Sequence, residues 1–271
     1  MNYEIYALKY AGPVSSRIAM VVYLGDWTEK VERAYYIWVV KGEGETVVFD
    51  SGVRPDYGRE MSLLKDSYVQ QDTMLERMGI KAAEVKHLVI SHMHFDHCGG
   101  LELFPNAKVY IQRREFDFWA YDPIAKRPPF AGANKNVPPP WGQSYGVSEA
   151  VSINQMAELR GSDRLVLVDG DQEILPGIEI MLTPGHTPGL QSLAIETKNG
   201  IVVLASDSAH LQKNFEIDTP SCFITDMLEW LRSYSKLKEK VGGNLEMLFS
   251  GHDKMMLDKY PKIAEDITRL A

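Results

Sequence analysis

Ser91-His92-Met93-His94-Phe95-Asp96-His97-Cys98-Gly99-Gly100 is the stretch that decides how this chain is read. In an extended segment, residues two apart point to the same side, so His92 and His94 can reach one cation. Asp96 and His97 follow at the expected turn into a helix and can face a second cation close by. Imidazole and carboxylate suit Zn²⁺, and also Fe²⁺, Mn²⁺ or Co²⁺. Working outward, the segment before it, His87–Ser91, reads as a short, mostly apolar strand. Earlier still, Val47-Val48-Phe49-Asp50-Ser51-Gly52 reads as the end of a strand and its turn.

Three more candidate ligands lie downstream, each at a strand end or in the loop after it. They are His186 in Thr183-Pro184-Gly185-His186-Thr187-Pro188-Gly189, Asp207 in Leu204-Ala205-Ser206-Asp207, and His252 in Phe249-Ser250-Gly251-His252-Asp253. Nearby glycines let the backbone turn closely around an ion. The chain has 7 histidines, and His92, His94, His97, His186 and His252 all fall in these loops. His87, at the start of a strand with no partner signal, reads as structural. Cys98 reads as a small buried filler.

The order of these motifs resembles the metallo-β-lactamase superfamily. The resemblance rests on His-x-His-x-Asp-His at 92–97, the loop at 183–189, Asp207, His252 and the early turn at 47–52, and it spans about residues 47 to 252. It implies that His92, His94 and His186 bind one metal, that Asp96, His97 and His252 bind the other, and that Asp207 bridges them. Asp50 is then either a residue that orients the loop or an ordinary turn aspartate. The implied architecture is α/β, an αββα sandwich of two mixed sheets with helices on the outer faces. Strand-rich halves flanked by helices point the same way.

Two divalent cations outweigh the charge of Asp96, Asp207 and a hydroxide between them. Water held there loses a proton near neutral pH and becomes a nucleophile, while a carbonyl oxygen is polarised. Asp96 can shuttle the proton to the leaving oxygen. The expected reaction is hydrolysis of a lactone, another small ester, a thioester, an amide or a phosphoester. Within the superfamily the chain resembles the N-acyl-homoserine lactone lactonases, by its length, the run at 91–100 and Asp207. It departs from them at His210, where those enzymes usually carry a tyrosine three residues after the bridging aspartate. His210 can donate a hydrogen bond to substrate, act as an acid near neutrality, or mark a different substrate. An acyl chain needs an apolar channel. Candidate walls are Trp27, Phe118 and Trp141, with Met20, Trp119 and Phe130.

The bulk composition is consistent with this picture. The chain has 271 residues, 45% of them hydrophobic and 24% charged, enough for a well-buried core spanning one expected domain, 1–271. Net charge is −8 and no Lys/Arg block occurs, which disfavours nucleic acid as a partner. The opening MNYEIYALKY shows no secretory pattern, and no stretch is apolar for long enough to span a membrane. With 2 cysteines, a reducing cytoplasm is the expected setting. Apolar stretches near residues 18–40 can support a homodimer.

Strands are expected at Tyr3–Leu8, Ile18–Leu24, Ala34–Val40, Thr46–Phe49, Lys108–Gln112, Leu165–Val168, Glu179–Leu182, Gln191–Ile195, Ile201–Ala205 and Leu245–Phe249. Helices are expected at 71–79, where Asp72 can cap, and at Arg113–Tyr121, Thr225–Val241 and Tyr260–Leu270. The proline-rich stretch from 122 to about 150 is expected to be a lid or loop insertion, with a plain surface excursion as the alternative.

Overall fold

The computed structural model describes residues 1–61, 63–126 and 150–271. The described residues form thirteen strands, β1 Glu4–Arg17, β2 Lys30–Gly42, β3 Glu45–Phe49, β4 His87–Val89, β5 Lys108–Gln112, β6 Leu165–Val168, β7 Gln172–Leu175, β8 Ile178–Leu182, β9 Gln191–Thr197, β10 Gly200–Ser206, β11 Leu248–Ser250, β12 Lys262–Ala264 and β13 Ile267–Arg269. The described helices are α1 Ile18–Val21, α2 Pro55–Glu60, α3 Gln71–Glu76, α4 Phe95–Cys98, α5 Arg113–Tyr121, α6 Ala150–Glu158, α7 Gln212–Glu216, α8 Met227–Lys240 and α9 Met255–Lys259, with short 3₁₀ turns between.

The strands form an 8-stranded sheet, β12-β13-β1-β2-β3-β4-β5-β6, and a 5-stranded sheet, β11-β10-β9-β8-β7. Both are mixed: β3 to β6 run parallel, β1, β2 and β3 antiparallel, and β10 and β11 parallel. β2 shows why they stack. Its residues are apolar on both faces, so Tyr35, Ile37 and Val39 enter one core cluster while Tyr36, Trp38 and Val40 enter another. A strand with two apolar faces must be covered twice. The cluster around Trp38 and Phe49 (ring centroids 5.7 Å apart) joins the two sheets through Ile180, Leu193, Ile195 and Leu204. On the outer side of the larger sheet lie Met74 and Leu75 of α3, Phe116 and Trp119 of α5 and Met156 of α6. Trp230, Tyr234 and Leu237 of α8 cover the outer side of the smaller one, with Phe215 of α7. This is the expected four-layer sandwich.

Several elements differ from expectation. β1 runs unbroken to Arg17, past the Ala11-Gly12-Pro13 stretch expected as a turn, with register shifts there that bend it. Ile18–Leu24 is not a strand. Ile18–Val21 makes one helical turn because Ile18, Val21 and Val22 pack on Leu211, a satellite cluster beside the site. Tyr260–Leu270 is not a helix but the β12–β13 hairpin, whose Ile267 pairs with Leu8 at the sheet edge. α3 stops at Glu76, and its N-cap is Gln70; Asp72 instead accepts from the Thr73 N–H. α8 is capped by Asp226, which accepts from the Glu229 N–H at 2.9 Å. The strand expected at Leu245–Phe249 is a 3₁₀ turn, Leu245–Met247, followed by β11.

Of the expected insertion, 122–126 is a turn leading into a 3₁₀ segment, Pro123–Lys126, and α6 begins at Ala150; 127–149 lie outside the described residues, Phe130 and Trp141 with them. Ala34–Val40 is interior, which leaves Tyr23, Leu24 and Trp27 as the outward large apolar residues of 18–40. Among the described residues, no helix is long and apolar enough to cross a membrane.

Candidate metal centre

Every candidate ligand sits just beyond the carboxyl end of a strand, on one edge of the sandwich. His92 and His94 follow β4, and the chain then turns into α4, which carries Asp96 and His97. His186 lies between β8 and β9, Asp207 directly after β10, and His252 directly after β11. Glycine allows the loops to close. A Cβ on Gly251 would lie 2.2 Å from Asp207 Oδ1, and one on Gly100 would lie 2.2 Å from the Ser51 carbonyl oxygen.

These side chains converge. Potential donor atoms of His92, His94, His186 and Asp207 all lie within 4.8 Å of one another, as do those of Asp96, His97 and His252. Asp207 stands between the sets. Its Oδ2 is 3.4 Å from His186 Nε2, and its Oδ1 is 3.1 Å from His252 Nε2 and 3.6 Å from His97 Nε2. Asp96 Oδ2 is 3.5 Å from His252 Nε2 and 3.6 Å from His97 Nε2. Each oxygen of Asp207 thus faces one set, the geometry a bridging carboxylate needs.

The imidazole tautomers follow from what each Nδ1 faces. His97 Nδ1 donates to Asp50 Oδ2 at 2.7 Å, His186 Nδ1 to the Phe223 carbonyl at 2.9 Å, and His252 Nδ1 to the Ala34 carbonyl at 2.9 Å. Ser91 Oγ gives its proton to Asp50 Oδ2 at 2.9 Å, which leaves it to accept from His92 Nδ1, 2.9 Å from Ser91 Oγ. Four imidazoles therefore present bare Nε2 lone pairs to the centre. His94 presents Nδ1 instead, 3.0 Å from His186 Nε2.

A lone pair 3.1 Å from a carboxylate oxygen repels it unless a cation lies between. Among the described residues His92 Nε2, His97 Nε2 and Asp207 Oδ1 are also buried without a hydrogen-bond partner, a costly state in a low-dielectric interior. The donor set fits two divalent cations, the number and charge that these lone pairs require.

Asp50 is central to this arrangement. It adopts φ 63°, a left-handed conformation that Asp tolerates better than most residues. Its Oδ1 accepts from the Ser91 N–H at 2.7 Å, while Oδ2 takes Ser91 Oγ and His97 Nδ1. One carboxylate thus aligns both the first histidine loop and a ligand of the other set.

Burial shapes the charge states. It pushes His92, His94, His186 and His210 below the ordinary imidazole range, with neighbouring imidazoles adding to the effect. In the metal-free protein His97 is also opposed by burial, yet goes up because Asp96, Asp207 and Asp50 surround it; a bound cation would take the place of the proton at its Nε2. Asp207 goes down despite burial, because His252, His210 and His97 face it.

His210 lies against the centre. It is 3% exposed, stacks on Phe223 at 5.8 Å, and places Nε2 3.4 Å from Asp207 Oδ2, while its Nδ1 has no partner among the described residues. The cavity over the ligands is lined by Met20, Arg33, Tyr35, Met61, Phe95 and Phe223, among others. Of the apolar walls expected from sequence, Met20 is there. Phe118 packs against Trp119 at 5.0 Å on the outer side of the larger sheet, and Trp27 is 62% exposed. Trp119 reaches the site only from behind, its ring edge-on to His94 at 5.7 Å. Arg33 and Tyr35 of β2, Met61 and Phe223 carry no local signal in the sequence, because they come from three separate segments; only folding brings them together. His87 pairs with the Tyr110 hydroxyl at 3.0 Å, away from the centre, and Cys98 is buried in the core.

The comparisons with known proteins agree with this geometry. The family model described as metallo-beta-lactamase superfamily matches residues 31–252. An N-acyl homoserine lactonase of Bacillus cereus is 33% identical over 182 residues, 67% of this chain and 61% of that protein, so the match spans under two thirds of the relative's length. An N-acyl homoserine lactonase of a Bacillus species is 26% identical over 238 residues, 83% of each chain. A solved dizinc quorum-quenching lactonase, in complex with an N-acyl-homoserine product, superposes with a TM-score of 0.71 at 20% identity, covering 93% of this chain and 88% of its own. With two sheets meeting at an edge where seven candidate ligands converge, and a family model matching residues 31–252, this chain belongs to the metallo-β-lactamase superfamily.

Proposed function

We propose that this chain is a dinuclear metal-dependent hydrolase that opens the ring of N-acyl-homoserine lactones, with zinc as the resident metal. The carrying observation is the convergence of His92, His94, His186, Asp207, Asp96, His97 and His252 with lone pairs facing one another. The similarity to the N-acyl homoserine lactonases of Bacillus supports the choice of substrate, and the nitrogen-rich donor set supports zinc.

When bound, the two cations supply Lewis acidity and make water acidic enough to serve as nucleophile near neutral pH. The chain's own residues do the rest. Water adds to the lactone carbonyl carbon and the ring C–O bond breaks. The Asp96 carboxylate, which lines the cavity beside His252 and His97, takes a proton from that water and hands it to the leaving alkoxide. His210 donates a hydrogen bond to the carbonyl oxygen as negative charge develops there. Met20, Met61, Phe95 and Phe223 give the acyl chain an apolar wall.

His210 and the Arg33 side chain in the same cavity favour a second reading, in which the substrate is another small lactone or ester on the same centre. One panel tests both. Purified protein, stripped with a chelator and reloaded with Zn²⁺, is assayed on acyl-homoserine lactones, aryl esters, phosphodiesters and thioesters. Lactone turnover lost on stripping and restored by zinc supports the proposal. Turnover indifferent to stripping removes the metal mechanism, and turnover confined to the other esters replaces the lactone.

A further inference from the structure

Glu115 is a carboxylate in the core with no place in the chemistry above. It is 0% exposed and lies on the first turn of α5, behind the metal ligands rather than among them. A carboxylate that deep is costly unless donors surround it. Three do. Oε1 accepts from the Met93 N–H at 2.9 Å and from Trp119 Nε1 at 2.7 Å, and Oε2 accepts from the Gly189 N–H at 2.9 Å.

The donors come from places that matter. Met93 sits between His92 and His94. Gly189 closes the loop that carries His186. Trp119, one helical turn beyond Glu115, lays its ring edge-on to His94 at 5.7 Å. The approach is close in a second, independent way: a Cβ on Gly189 would lie 2.3 Å from the Glu115 backbone nitrogen. The 183–189 loop is therefore seated on the start of α5, and no side chain at 189 fits that seat.

We infer that Glu115 is a positioning residue that sets the spacing between the two loops carrying His92, His94 and His186. One rigid two-oxygen group spans both loops, so the three imidazoles are held at one separation before an ion arrives. Asp50 reaches His97 of the other set directly and the first histidine loop only at Ser91, whereas Glu115 ties that loop to the one carrying His186. This inference rests on the metal-binding reading of the seven ligands.

Glu115→Gln is the discriminating change. A glutamine has the same length, but only one of its two terminal atoms accepts. Its oxygen can keep Met93 and Trp119, and its NH₂ then faces the Gly189 N–H, donor against donor. The His186 loop is released while the His92–His94 segment stays. Partners behind a metal ligand are worth about 10–100-fold in affinity. Full-chain protein is titrated with Zn²⁺ against a competing chelator, and zinc occupancy at each position is read by anomalous scattering from crystals equilibrated at set free-zinc levels. The expected result is about tenfold or greater weakening at the His92/His94/His186/Asp207 position, with the Asp96/His97/His252 position unmoved. Trp119→Phe, which removes one donor and keeps a ring beside His94, serves as the milder variant, and it is expected to weaken the same position by a smaller factor. Wild-type zinc binding at both positions in both variants overturns the inference. So does equal loss at both positions with a matching fall in the melting temperature of the metal-free protein, the signature of mere destabilisation. If the wild-type chain itself binds no zinc, the metal reading has failed instead.

Discussion

Asp50→Asn exchanges one atom and tests how the centre keeps its imidazoles correctly protonated. Asp50 receives the Ser91 N–H on Oδ1, and the Ser91 hydroxyl and His97 Nδ1–H on Oδ2. With the asparagine oxygen in the Oδ1 position, the NH₂ occupies the Oδ2 position. The Ser91 hydroxyl can rotate and accept from it. His97 Nδ1 can pair with a donor only by losing its proton, which moves to Nε2. An N–H then points at Asp96 and Asp207, 3.6 Å away in each case, where a lone pair had pointed, and one ion loses a ligand.

Turning the amide over rescues His97 but sets NH₂ against the buried Ser91 N–H, at a cost of about 1–3 kcal/mol. That cost disfavours the turned amide, so the Asp96/His97/His252 position should lose about 10–100-fold in zinc affinity, or roughly 1.4–2.8 kcal/mol at a tenfold change per 1.4 kcal/mol. The assay is competition with a chromophoric chelator, combined with site-resolved occupancy. Zinc binding at that position equal to the wild type would refute the tautomer argument.

The remaining predictions concern the site and the core. His210→Ala should lower kcat on lactones by about 10²–10³-fold, the usual effect of removing one donor to a developing oxyanion, with both metals retained; an unchanged kcat removes the role assigned to His210. Gly251→Ala forces a Cβ to 2.2 Å from Asp207 Oδ1, so metal content measured by elemental analysis should fall below two per chain, and a full complement with normal turnover contradicts the close approach. Zinc at about 1,000 times its Kd should raise the unfolding free energy by about 4 kcal/mol per site, read as a higher Tm than in the chelated protein; equal Tm values argue against binding. Trp38→Ala, in the core between the sheets, should cost about 3–5 kcal/mol in a denaturant titration, and a loss below about 1 kcal/mol would be that of a surface site.

Much of the fold was legible in the chain. Val47-Val48-Phe49 and Ile201–Ala205 are apolar on both pleat faces, and such strands occur where a sheet is covered on both sides. The convergence of the candidate ligands was legible too, because His92, His94, Asp96 and His97 are near neighbours, and His186 and His252 follow glycine directly. Two of the elements that differ from expectation show why the rest was not legible. Ile263, Ile267 and Leu270 recur at helical spacing, yet Asp266 at φ 61° closes a hairpin, and β13 gains the free edge of β1. Ile18–Leu24 has strand composition, yet β1 already supplies the pairing partner for Lys30–Arg33, and Ile18 and Val21 turn inward onto Leu211. In both cases a tertiary contact outweighed a local preference.

The sequence by itself singled out the side chains that converge at the candidate centre, because chemistry and short spacing are local properties of the chain. It also determined the layer order, because periodic apolar faces must be buried. Only the tertiary structure decided which Nδ1 meets which acceptor, that Glu115 bonds Met93 and Gly189 while Asp50 bonds Ser91 and His97, and that Arg33, Met61 and Phe223 wall the cavity. Those facts depend on distances between residues far apart in sequence, and such distances exist only once the two sheets have packed.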